Sequence, residues 1–236
     1  MKFMKYAGLS VVLLAGNINL AQAMPYSVSG SFLNPGFSDP SSLHYLFNND
    51  QGGNASLPAV AEFGWGVNVD ALASSRFQFD GAKGDAGLPT DSPLLIKLGS
   101  FSYTNLPTVL VGKTVTVDLK LNLAMGDPVQ QTDFSYGLKV NNTPGKGTPD
   151  TMQIVSMPGG VPFNVKGINY KLALAGFSAD GGGHFPAIFS LAEGGTLNMG
   201  VYARLNRVSP VPVPSAIWLF GTALIGLAGI SRRTRK

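Results

Sequence analysis

The sequence predicts an all-β fold, an antiparallel β-sandwich of jelly-roll-like form, with a single barrel as the second choice. Three observations lead there. Apolar and polar residues alternate over long stretches in the middle of the chain, which is the period of a half-buried strand. The 236 residues include 30 glycines and 16 prolines, which mark frequent turns, and only 13% are charged. Between the two termini no stretch sustains a helical period for three turns, and strands do not alternate with helices. These signals predict about nine to eleven strands and no repeat of fixed period.

Residues 1–23 read as a secretory signal peptide. Lys2 and Lys5 form a positive n-region, residues 6–14 a short apolar run, and Ala21-Gln22-Ala23 a small-residue cleavage site. Cleavage by signal peptidase after Ala23 leaves Met24 as the first residue of a domain spanning 24–208. In that domain "RFQFD" places Phe77 and Phe79 on one side of a strand. "TVTVDLKLNL" puts Val115, Val117, Leu119, Leu121 and Leu123 on one face and Thr114, Thr116, Asp118, Lys120 and Asn122 on the other. The pattern returns at Phe134, Tyr136, Leu138 and Val140, and again at Leu197, Met199, Val201, Ala203 and Leu205. Between Phe163-Val165 and Ile168-Tyr170-Leu172-Leu174 the parity flips across Gly167, which predicts a bulge that keeps both halves facing the core. Turn signals stand at 48–54, 80–87, 141–150, 157–160 and 179–183.

The net charge of +4 belongs to the termini. Of the 17 basic residues two lie in the signal peptide and four in the last five positions, leaving 11 against 13 acidic residues in the domain. The positive charge therefore reads as topological, and no basic face points to nucleic acid. With no cysteine, thiol catalysis, thiolate metal sites and disulfides are excluded. No cofactor and no metal centre are expected. His44 and His184 stand apart from any metal-ligand spacing, and the P-loop, dinucleotide and nucleophile-elbow motifs are missing. Glu62, near Trp65 in "AVAEFGWGV", has the residue types of a glycosidase site but reads as a solvent-facing charge on a strand whose Trp packs inward. "DGAKGDAG", with Asp80 and Asp85, lacks the spacing of a calcium loop and reads as a solvated hairpin turn.

The tail, 209–236, is the most specific segment. "VPVPSAIWLFGTALIGLAGISRRTRK" joins Pro212-Val213-Pro214 to an apolar run from Ala216 through Trp218 to Ile230, followed by Arg232, Arg233, Arg235 and Lys236. As a helix the sixteen residues from Ser215 to Ile230 span about 24 Å, barely enough for a bilayer core, and the basic cluster stops transfer. This combination resembles the PEP-CTERM sorting signal of Gram-negative bacteria, with Val213 where the namesake motif has Glu. The resemblance implies a transient inner-membrane anchor, cleavage near Pro212–Pro214 by an exosortase-like enzyme, and relocation to the cell surface or its polysaccharide matrix. Over about 45–155 the domain is similar to the choice-of-anchor K and THxN groups of PEP-CTERM proteins. That similarity rests on "GWG", "SSRFQF", "LGSFSYTNLP" and "NNTPG", with Ser102-Tyr103-Thr104-Asn105 at the THxN position. It implies an exported β domain and supplies no catalytic residue.

The leading expectation is a non-enzymatic structural or adhesive protein of a biofilm or exopolysaccharide matrix. The alternative is a carbohydrate-binding module in which Tyr45, Trp65 and Tyr103 stack on sugar faces. A polysaccharide-active hydrolase comes third.

Overall fold

The computed structural model describes residues 23–38, 45–48 (backbone only), 60–66, 75–89, 92–107, 114–126, 128–143, 148–165 and 167–208. The expected signal peptide up to Gln22, the turn after Asn48, His44 and the whole 209–236 tail lie outside them. Among the described residues there are thirteen strands and no helix. They are β1 (Ala23–Phe37), β2 (Tyr45–Asn48), β3 (Val60–Trp65), β4 (Ser75–Gly81), β5 (Lys83–Gly87), β6 (Leu94–Thr104), β7 (Thr114–Met125), β8 (Gln130–Asn141), β9 (Asp150–Ser156), β10 (Val161–Val165), β11 (Ile168–Ser178), β12 (Ile188–Leu191) and β13 (Thr196–Arg207).

Two antiparallel sheets result. A six-stranded sheet runs β12-β9-β8-β7-β1-β5, and a seven-stranded sheet runs β10-β11-β13-β6-β4-β3-β2. The alternation in β7 is strict: Val115, Val117, Leu119, Leu121, Leu123 and Met125 are each at most 1% exposed, and the residues between them are half-buried. Its neighbour β8 buries Phe134, Tyr136, Leu138 and Val140 in the same way. Rings from the two sheets meet across this core. Phe32 of β1 lies 6.2 Å from Phe63 and 6.3 Å from Phe77, and Tyr136 of β8 lies 5.1 Å from Phe177 of β11. Such pairs stabilise beyond their buried area by about 0.5–1.5 kcal/mol each. The arrangement is consistent with a β-sandwich.

Three local expectations are corrected. "DGAKGDAG" is not a hairpin turn, because the chain changes sheets there. Ala82 donates its N–H to the Leu98 carbonyl of the seven-stranded sheet at 2.9 Å, and its own carbonyl accepts from Val28 N–H of the six-stranded sheet at 2.8 Å. The crossing is tight enough that a Cβ on Gly81 would stand 1.9 Å from the Val28 oxygen, so glycine is required by close approach. Gly167 is not a bulge within one strand. Val165 pairs with Ile168, making β10 and β11 a hairpin with Gly167 at φ 82° in its two-residue turn. The parity change in β11 comes later, where Ala175 is the extra residue between Leu174 and Gly176. The strand count exceeds the expected range because β10 and β11 are separate and because β2, β5 and β12 are only four or five residues long.

A further irregularity sits in β1, whose register on β7 shifts between Leu33 and Gly36. Asn34 takes a left-handed φ of 53° there, a conformation asparagine tolerates better than most residues, and its amide donates to Asp118 at 2.8 Å. Pro35, which has no N–H to give a ladder, falls in the same irregular step.

Candidate functional site

The two aromatic residues expected to stack on sugars lie in the core. Trp65 and Tyr103 are 0% exposed. Trp65 stacks on Phe63 with centroids 5.5 Å apart and on Tyr103 at 6.1 Å, and it meets Phe77 edge-on at 4.8 Å. A ring sealed between two sheets presents no face to a ligand, so the sugar-stacking role is withdrawn for both. The cause is parity: in "EFGW" and "FSY" the aromatic residues share one side of their strand, and that side is covered by the other sheet. Tyr45 pairs through its backbone with Trp65, and its side chain lies outside the described residues. Burial, with the Asp150 charge adding to it, pushes the Tyr103 hydroxyl far above the usual tyrosine range. Burial alone does the same to Tyr136. Among the described residues neither hydroxyl has a hydrogen-bond partner, nor does Trp65 Nε1.

The remaining candidates are scattered. Glu62 points outward from β3 and accepts a hydrogen bond from Gln78 Nε2 at 2.9 Å. Asp80 and Asp85 lie in β4 and β5, strands of different sheets. His184 is exposed, and its backbone N–H donates to Asp180 Oδ1 at 3.0 Å. The Asp180 carboxyl is held below the usual carboxylate range by the Ser178 hydroxyl first and then by the His184 amide, which outweigh partial desolvation; the Gly183 amide adds to them. Among the described residues no three His, Asp or Glu side chains come together as a metal-ligand set.

What the structure does bring together is a groove on the outer face of the seven-stranded sheet. The core-facing residues of its middle strands are Phe77 and Phe79, Phe101 and Tyr103, and Met199 and Val201. The residues between them face outward, and cross-strand pairing sets them in two rows. Gln78 lies opposite Ser102 and Ser102 opposite Asn198; Asp80 lies opposite Ser100 and Ser100 opposite Gly200. Small side chains on the two central strands, β6 and β13, leave a trough between longer ones. The cavity measures about 580 Å³, within the range of ligand sites.

One wall is Tyr202, seated by two register shifts. Tyr202 faces Lys97 on β6 and Gly176 on β11, and in each pairing the neighbouring strand carries one extra residue at this level, Leu98 and Ala175. Bulges re-aim side chains in this way. The ring lies close over Gly200, where a Cβ would stand 2.4 Å from Tyr202 Cε2. Its edge packs on Phe185 at 5.8 Å, and Phe185 in turn carries the Arg204 guanidinium at 5.5 Å. On the opposite wall one carboxylate oxygen of Asp80, Oδ1, is buried and accepts no hydrogen bond from any described residue. From the sequence, Asp80 stands out as a candidate only in a stretch that lacks the spacing of a calcium loop, Ser102 only at the THxN position, and the other groove residues not at all. The only local signal was a run of small polar residues at outward positions in "GSFS" and "LNMG".

No protein-family model matches the chain, and no curated protein matches it.

Proposed function

We propose that this chain is an exported surface or extracellular-matrix protein with a non-enzymatic, structural or adhesive role, sorted by its C-terminal segment. The observation that carries this reading is the order of residues in the tail: Pro210, Pro212 and Pro214, an apolar run with an early Trp218, then Arg232, Arg233, Arg235 and Lys236. The reading is compatible with the buried position of Met24, the first residue that cleavage after Ala23 leaves, at 3% exposure opposite Ala86. We infer that the sheets form a jelly-roll-like sandwich, a reading supported by repeated crossings between sheets, such as β4 to β5 and β11 to β12.

In this reading the tail anchors the domain in the inner membrane until an exosortase-like enzyme cuts near Pro212–Pro214. The domain then moves to the cell surface or the exopolysaccharide matrix. Mass spectrometry of both termini in each cell fraction tests it. A surface-fraction protein that starts at Met24 and lacks the Trp218 peptide is expected, with the full tail retained in the membrane when the processing enzyme is deleted. An intact Lys236 terminus on surface protein from a host that has the enzyme makes the tail a permanent anchor and defeats the sorting reading.

A further inference from the structure

We propose that the groove on the outer face of the seven-stranded sheet binds a neutral polysaccharide chain. This deepens the matrix-protein reading and rests on it only for the source of the polymer. Recognition follows from the chemistry of two cross-strand rows. Ser100 and Ser102 offer hydroxyls that both donate and accept, and Gln78 and Asn198 carry amides that do the same. Sugar hydroxyls have the same dual character. The rows repeat these groups at the inter-strand spacing of about 4.8 Å, so an extended polyhydroxylated chain lying across the strands meets a new polar partner at each one. Asp80 adds an acceptor. Its buried Oδ1 has no donor among the described residues, and a carboxylate oxygen in that position is costly until something donates to it.

Charge narrows the ligand. Asp80 and Lys97 are the charged residues on the lining, one of each sign, so the groove carries no net charge. A polyanion gains nothing there that a neutral chain does not. Strand position excludes another class of occupant: β6 and β13 are interior strands, hydrogen-bonded on both sides, and offer no open backbone edge to an added peptide strand. Tyr202 closes one end as an apolar wall. At 9% exposure it shapes the trough and does not serve as a broad stacking platform.

Affinity electrophoresis of the full chain through native gels containing dextran, a galactomannan, a β-glucan or alginate tests the proposal. At least one neutral polymer should retard the protein. Ser102→Tyr, which fills the trough, should weaken the apparent affinity by about tenfold or more. Ser135→Tyr, the same change at an exposed position on β8 of the other sheet, should leave it unchanged. Asp80→Ala and Asn198→Ala, which remove single polar partners, should each weaken retention several-fold, and they decide the matter if circular dichroism shows Ser102→Tyr unfolded. Retardation by no neutral polymer, retardation by alginate alone, or equal retention of the wild type and the groove variants overturns the proposal. Those outcomes leave the sorting reading untouched, since it is read from the termini of the protein and its cell fraction.

Discussion

The outer faces of the two sheets differ although their inner faces are built alike. On the six-stranded sheet outward side chains tie neighbouring strands together: Lys120 of β7 reaches Asp133 of β8 at 2.9 Å, and Asp118 of β7 accepts from Asn34 of β1. On the seven-stranded sheet the outward residues at the middle of β6 and β13 are Ser100, Ser102, Asn198 and Gly200, and the surface sinks into a groove. The long strands β6, β7, β8 and β13 share the same inward requirement, buried residues at alternating positions away from their bulges. That requirement leaves the outward positions free to differ in size and in the partners they make.

The sharpest way to break this comparison is to exchange inside for outside on one strand. Leu119 is fully buried, so Leu119→Asp places an unpaired charge in the core and should cost several kcal/mol, enough to unfold a marginal domain. Lys120→Asp, one position away, loses a solvent-exposed ion pair and should cost about 1 kcal/mol or less. Denaturant melts measure both, and equal midpoints would mean that the two faces of β7 do not differ as described.

A smaller effect separates relief from core on the seven-stranded sheet. Gly200→Ala pushes a methyl group toward the Tyr202 ring, which Phe185 holds in place, and should destabilise by about 1–3 kcal/mol. In a Tyr202→Ala background the same substitution should cost much less, because the obstructing ring is gone. A thermal double-mutant cycle reads the difference, and simple additivity would place the Tyr202 ring elsewhere.

The smallest effect is on pH. Tyr103 and Tyr136 have folded-state pKa values raised by burial, so both stay neutral while an unfolded tyrosine ionises near pH 10. Their contribution is fully present below that value and declines as the pH rises through it, since the unfolded chain alone releases protons. Between pH 8 and 10 the loss should stay under about 1 kcal/mol and steepen beyond. Absorbance titration should show these two phenols ionising only with unfolding; their ionisation in the folded protein alongside exposed tyrosines would mean that the core is open to water.

Legibility followed the range of the interactions. In "TVTVDLKLNL" each residue's side is set by the residue next to it, so the buried face of β7 could be read directly. In "DGAKGDAG" the local signal was a cluster of glycines, which serves a turn and a close crossing of strands equally well. Only the neighbouring Val28 and Leu98 make it a crossing. Gly167 failed in the opposite sense: a parity flip looks the same whether the strand bulges or ends and turns back, and the pairing of Val165 with Ile168 decides. For Trp65 and Tyr103 the residue type suited a sugar platform, and the parity that buries them is meaningful only once a second sheet covers that side.

By itself, then, the sequence determined the all-β class and the inward residues of β7, β8 and β13, because each of these depends on neighbours a few positions away. The tertiary structure alone decided that Gln78, Ser102 and Asn198 stand in one row and Asp80, Ser100 and Gly200 in the next. Those residues lie 20 to 24 positions apart between β4 and β6 and 96 to 100 apart between β6 and β13, and antiparallel register, set by how the two sheets bury their apolar faces, is what aligns them.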